Sequence, residues 1–110
     1  MKRIAHIIDP NGNVITDGLV YSAYVAARVL AATTAEVHTI PTGAKNVRFT
    51  GTVPFFINFG AAAAIPAADI TDGTASLLIL TGRIFAIPSG VTTIGLIASA
   101  NCTVTMEFYT

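Results

Sequence analysis

Short runs of alternating apolar and polar residues fill the chain from residue 35 onward, and one phrase occurs twice among them. Ile-Pro-Thr-Gly at residues 40–43 returns 47 residues later, at residues 87–90, as Ile-Pro-Ser-Gly. Alternation with a period of two predicts strands that bury one face. One such run precedes each phrase and two follow it, at residues 36–40, 46–50 and 53–59 in the first copy and 83–87, 93–97 and 102–109 in the second. The sequence therefore predicts two copies of a strand, turn, strand, strand unit.

The repeated phrases are predicted to be turns. A type II turn needs positive φ at its third position, which glycine adopts without steric cost. The glycine of each phrase fits that position. We expect the residues just beyond the turns, Val47 and Phe49 in one copy and Ile94 and Leu96 in the other, to hold equivalent places in the core.

The segment at residues 19–32 fits two structures. Leu19, Ala23, Ala26 and Leu30 have helical spacing, and alanine favours helices. Its valines and tyrosines favour strands, and the predicted sheets need partners for their edges. We expect a strand here.

The fold class follows from the number of runs. With a further strand at residues 76–80, the chain has about eight strands, which is typical of an all-β two-sheet sandwich or jelly-roll-like barrel. We assign this domain to residues 19–110. Residues 1–18 predict an N-terminal arm or hairpin, with a turn at residues 9–13 and a break at Asp17-Gly18.

Charge is scarce in this sequence. Only 11% of the 110 residues are charged, against about 25% in typical domains, and six basic residues balance six acidic ones. A neutral chain has no field that attracts a polyanion, so nucleic acid is not an expected partner. Soluble monomers usually carry more surface charge. We therefore expect copies of the chain, or a larger assembly, to cover much of its surface.

Three further features of the sequence concern the cellular compartment of the protein. Cys102 is the single cysteine, which fits synthesis in a reducing cytoplasm. The apolar stretch at residues 53–68 is interrupted by prolines and a glycine, so no membrane span is expected. The first apolar run ends at Asp9-Pro10 and is too short for a signal peptide.

Few residues suggest metal binding. His6 and His38 are far apart and lack a metal-ligand spacing. Asp69 and Asp72 resemble part of a calcium loop, but the later acidic ligand is missing, which favours a turn. We expect no metal and no cofactor.

Catalytic chemistry also finds little support. Cys102 has no basic neighbour in sequence to lower its pKa. For Ser76 and Ser89 the sequence indicates no general base that would activate the hydroxyl. We expect a protein that is not an enzyme.

Four residues are candidates for contact with partners. Lys2 and Arg3 concentrate positive charge at the end of the arm, where they either meet acidic groups of a partner or remain solvated. Tyr21 and Tyr24 are either interface anchors or core residues, since tyrosine is favoured at interfaces.

The turn and strand phrases resemble a group of small proteins encoded in the structural gene clusters of tailed bacteriophages. The resemblance covers about three quarters of the chain and lies at residues 31–37, 40–49, 58–59, 65–73, 94–98 and 104–109. It implies a virion protein in many copies, most like a capsid decoration (cement) protein that stabilises the head. It also implies a homo-oligomer, with three copies expected, that contacts the major capsid protein or another virion protein after synthesis in the host cytoplasm.

A second function remains open. A tail-fibre or adhesin-type module would recognise a surface glycan, which calls for exposed aromatic side chains and polar loops. The chain has no tryptophan and three tyrosines.

Overall fold

The computed structural model describes residues 6–8, 14–19 and 22–110, and within these ranges the chain forms strands and no helix. No helix long and apolar enough to span a membrane occurs in this part of the chain. The strands are β1 (His6–Ile8), β2 (Val14–Leu19), β3 (Tyr24–Leu30), β4 (Glu36–Thr39), β5 (Asn46–Gly51), β6 (Phe55–Phe59), β7 (Leu77–Ile79), β8 (Arg83–Ala86), β9 (Thr93–Ile97) and β10 (Cys102–Tyr109).

Eight of these strands build two antiparallel sheets, which confirms the predicted all-β sandwich. The first sheet has the order β3-β10-β5-β8 and the second has the order β4-β9-β6-β7. β1 and β2 pair with each other in a separate two-stranded sheet. The core lies between the two four-stranded sheets, and its largest fully buried side chains are Leu30, Val47, Phe49, Phe55, Ile57, Ile79, Ile94, Leu96, Val104, Met106, Phe108 and Tyr109.

The sandwich has an internal twofold relationship that follows the sequence repeat. The repeat matches β3, β4, β5 and β6 with β7, β8, β9 and β10, respectively. When each strand of the first sheet is replaced by its counterpart, the order β3-β10-β5-β8 becomes β7-β6-β9-β4, which is the second sheet read from its other edge. The register of the β4–β9 ladder agrees with that of the β8–β5 ladder: Glu36 is opposite Leu96, and Arg83 is opposite Phe49. Every pairing in these sheets joins the first half (β3 to β6) to the second half (β7 to β10). The two copies are therefore interlocked.

The repeated phrases form equivalent turns, as predicted. Gly43 and Gly90 have φ of 88° and 82°, at the third position of turns closed by hydrogen bonds of 3.1 and 3.2 Å to the proline carbonyls. Each turn is also bound to the other half, since Ile40 N–H donates to Thr92 O at 2.9 Å and Ile87 N–H donates to Lys45 O at 2.8 Å. The four residues predicted to be equivalent in the core, Val47, Phe49, Ile94 and Leu96, are all fully buried.

Two local predictions are resolved by the strand bounds. The segment at residues 19–32 contains strand β3, so the preference for a strand is confirmed and the helical alternative is wrong. β6 begins after Pro54, which has no N–H to donate to a ladder. Asp17-Gly18 does not end the strand: β2 continues to Leu19, and the register jumps from Thr16 to Leu19, so that these two residues bulge between their neighbours.

The connection between the halves lies against the outer face of the second sheet. A Cβ at Gly95 of β9 would overlap the carbonyl oxygen of Ala61 and lie 2.6 Å from the amide nitrogen of Ala63. The equivalent position in the first half is Arg48, whose side chain lies on the outer face of the first sheet. The close approach of the connection thus requires glycine at a position where the other half has a long side chain.

Candidate interaction surfaces

The free edge of β3 is the longest uncovered strand edge among the described residues. β3 pairs with β10 over seven residues without a register shift, and no described strand pairs with its other side. Its outward side chains are Val25, Ala27 and Val29, and the two valines are 44% and 76% exposed. We call this strand edge, with those three residues, the β3 edge.

The outer face beside the β3 edge has little net charge. Arg48 on β5 and Glu107 on β10 lie directly opposite each other and form an ion pair of 2.9 Å. Half-exposed pairs of this kind contribute at most about 1 kcal/mol to stability, so its main effect here is to neutralise the face. Threonines occupy the positions that flank the pair, Thr50 on β5 and Thr103 and Thr105 on β10.

One predicted contact residue, Tyr24, lies in the described part of the chain. It begins β3, is 45% exposed, and packs edge to face against Phe108 with ring centroids 5.8 Å apart. Ser22 fixes this end of the strand, because its buried hydroxyl accepts the Tyr24 N–H at 3.1 Å and lies 2.7 Å from Phe108 O. The other three, Lys2, Arg3 and Tyr21, lie outside the described residues.

A polar cluster, which we call the Arg28 seam, closes one side of the sandwich between β3 and β4. Arg28 NH1 forms an ion pair of 3.0 Å with Glu36, and Arg28 Nε donates to His38 Nδ1 at 3.1 Å. Because Nδ1 accepts, the neutral imidazole carries its proton on Nε2, a buried atom with no hydrogen-bond partner among the described residues. Burial, and then the positive charge of Arg28, lower the pKa of His38.

The opposite side of the sandwich, at β7 and β8, is apolar and open. The repeat places Arg83 at the position of Glu36 and Phe85 at that of His38. Leu77 is 43% exposed here, and the Arg83 guanidinium lies 4.9 Å from the centre of the Phe85 ring. A cleft of about 310 Å³ results, lined by Ile57, Asn58, Phe59, Ala75, Leu77 and Phe85. The Arg28 seam thus closes one side of the sandwich, whereas the equivalent side remains open as this cleft.

Asp72, Ser76 and Cys102, which were considered for chemistry, make contacts within the local structure. The Asp72 carboxylate accepts hydrogen bonds from Thr74 N at 3.1 Å and Oγ1 at 2.6 Å, which lower its pKa and hold a turn. Ser76 Oγ accepts the Ala64 N–H at 3.0 Å, and this hydrogen bond joins the beginning of the connection between the halves to its end. Cys102 is buried, with Sγ 3.4 Å from Val53 O. Across the described residues, no three His, Cys, Asp or Glu side chains gather as a metal site would require.

Sequence reasoning missed the Arg28 seam. Arg28 and its partners lie eight and ten residues apart on strands of different sheets, so their contact depends on the crossing between sheets. The alternation within β3 and β4 does place Arg28, Glu36 and His38 on inward positions, and an inward arginine in an apolar strand was the available signal.

Comparison with known proteins adds no relative. No protein-family model matches the chain, and searches of curated proteins and of solved structures returned no match. Function is therefore inferred from the surfaces described above.

Proposed function

We propose that this chain is a non-enzymatic structural protein of a bacteriophage particle, a capsid decoration protein that self-associates and stabilises the head. The observation that carries the proposal is the β3 edge, which is long, exposed and apolar. Monomeric proteins usually protect such an edge with charge, proline or a covering segment. An edge left open suits a protein that works in an assembly.

The rest of the surface supports the same function. Apolar side chains are exposed on or next to strands at the margins of both sheets, with Leu78 on β7 39%, Leu80 just after β7 67% and Ile84 on β8 44% exposed. With 11% charged residues in the chain, little charge separates these positions. Many modest apolar contacts, repeated over a particle, add up to substantial stabilisation.

Attachment to the shell is assigned to the arm. Lys2 and Arg3 meet acidic groups of the major capsid protein, and Tyr21 and Tyr24 anchor contacts between subunits. Three copies are expected in one oligomer, in keeping with the resemblance. The glycan-binding alternative has less support, since Tyr24 is the one aromatic side chain that is exposed among the described residues.

The test uses the purified full chain and capsids of the phage that encodes it, assembled without this protein. We expect the chain to co-sediment with the capsids at saturating stoichiometry, and electron cryomicroscopy to show added density on their outer surface. Deleting residues 1–17 should weaken attachment while the β domain keeps its thermal unfolding transition. A chain that stays monomeric and leaves the capsids bare would contradict the proposal.

A further inference from the structure

The β3 edge has the properties of a self-complementary contact. Unpaired N–H and C=O groups along a strand are satisfied best by another extended backbone. We propose that β3 strands of two copies pair antiparallel about a twofold axis at Ala27, which joins two first sheets into one continuous sheet. This inference rests on the self-association in the proposed function and names its surface and partner. A twofold contact joins two copies, so the unit expected in solution is a dimer in place of the three copies that the resemblance implies.

Length and regularity distinguish β3 from the other free edges. β3 has seven residues in unbroken register with β10, whereas β4 and β8 have four residues each and β7 has three. A pairing of three or four residues offers few hydrogen bonds to offset the cost of association. Among the free edges of the two four-stranded sheets, β3 is the one long enough to form a ladder of ordinary strand length.

The side chains of β3 suit pairing about Ala27. In that register Val25 of one copy faces Val29 of the other on the outer face, and Ala27 faces its own equivalent. β-branched pairs at directly opposite positions stabilise antiparallel strands. Both valines are exposed in the single chain, so pairing removes apolar surface from water.

The charge of β3 does not oppose this pairing. Arg28 is the one charged residue of the strand, and it lies on an inward position. In the twofold register it faces Ala26 of the partner copy, and its guanidinium is neutralised by Glu36 of its own chain at 3.0 Å. No two like charges are therefore directly opposite.

The contact between two β3 strands is small, so we expect the dimer to be weak. One strand pair buries less area than the roughly 1,200 Å² at the lower limit of stable interfaces. We expect a dimer that forms at micromolar to near-millimolar concentration in solution. On a particle surface, where copies are held close together, the same contact would be largely occupied.

The experiment measures self-association of the full chain by sedimentation velocity from micromolar to near-millimolar concentration. Val29→Glu places a charge opposite Val25 of the other copy, once on each side of the twofold axis, and should weaken dimerisation at least about tenfold. Val25→Lys combined with Val29→Glu should restore it, because each lysine then faces a glutamate of the other copy. Val37→Glu on β4, a valine 48% exposed at another edge, is the control and should leave dimerisation unchanged.

A second measurement tests the register. Ala27→Cys should form an intermolecular disulfide on mild oxidation, since directly opposite residues of antiparallel strands are within disulfide range. Val37→Cys should form far less, and Cys102 is buried in every variant.

The outcomes separate this inference from the proposed function. An oligomer that is insensitive to Val29→Glu, including a trimer, overturns the β3 pairing and leaves self-association through another surface. A chain that is monomeric at every concentration and does not bind capsids overturns both.

Discussion

Arg28 Nε donates a 3.1 Å hydrogen bond to His38 Nδ1, and the burial of this imidazole beside a positive charge makes the stability of the sandwich depend on pH. The pKa of His38 is lowered from its ordinary value of 6.5 by burial and by Arg28. The unfolded chain therefore binds a proton at higher pH than the folded chain does. The free energy of unfolding should fall as pH drops below about 6.5, until the folded-state pKa is passed.

Thermal unfolding from about pH 7.5 to about pH 5.5 checks this prediction. His38→Phe copies the residue at the equivalent position, Phe85, and should flatten the dependence over that range. The matched control is His6→Gln, which removes the other histidine and should leave the dependence in place. An equal slope in the wild type and in His38→Phe would contradict the assignment.

Gly95→Ala should destabilise the fold by about 1–3 kcal/mol, because a Cβ there meets the backbone of the connection at Ala61 and Ala63. The backbone of a packed connection cannot move aside as readily as the end of a flexible side chain can. Gly82→Ala is the comparison, since the nearest atom to its Cβ would be the end of the flexible Arg48 side chain, at 3.0 Å. Chemical denaturation of both variants should give the larger loss at Gly95, and a reversed order would argue against the packing described.

Gly90→Ala tests the conformational requirement of the repeated turn. Its φ of 82° disfavours L-residues, and no atom lies within 4 Å of an added Cβ, so the cost arises from the backbone alone. We expect a loss of about 1 kcal/mol in the free energy of unfolding. Gly90→Asn should lose less, because asparagine tolerates positive φ better than alanine. Equal losses for the two variants would mean that the turn changes shape on substitution.

Phe49→Ala should cost about 3–5 kcal/mol, since Phe49 is fully buried and its ring contacts three other phenylalanine rings. Phe85→Ala should cost less, because Phe85 lines the open cleft and water already reaches it. Urea denaturation of both variants gives the difference. If Phe49→Ala fails to fold, Phe49→Leu, a smaller loss of volume, preserves the comparison.

Much of the fold was predictable because its signals are local. The alternation of buried and exposed positions identified the strands, and the repeated phrases identified turns and the equivalent core residues Val47 and Ile94. The pairing of strands was not predictable, because a repeat does not say whether its copies pair within themselves or with each other. Gly95 within a strand did offer a signal, since an isolated glycine there often marks the close approach of another backbone.

The candidate interaction surfaces were harder to predict from the sequence than the fold was. Tyr24 was expected either at an interface or in the core. Its ring packs edge to face with Phe108 and it is 45% exposed, so it is not a core residue, and its role at an interface stays a prediction. The β3 edge could not be named in advance, because the segment at residues 19–32 also fitted a helix. Which valines of that segment face water depends on its register with β10.

The interlocking of the two halves has a consequence for a chain that is cut in two. Neither half has a partner within itself, since every ladder of the two main sheets crosses from one half to the other. Two fragments cut within the connection at residues 60–76 should therefore reform the sandwich only as an intertwined pair, and the stability of that pair should depend on fragment concentration. In the intact chain the covalent connection makes the same pairing independent of concentration.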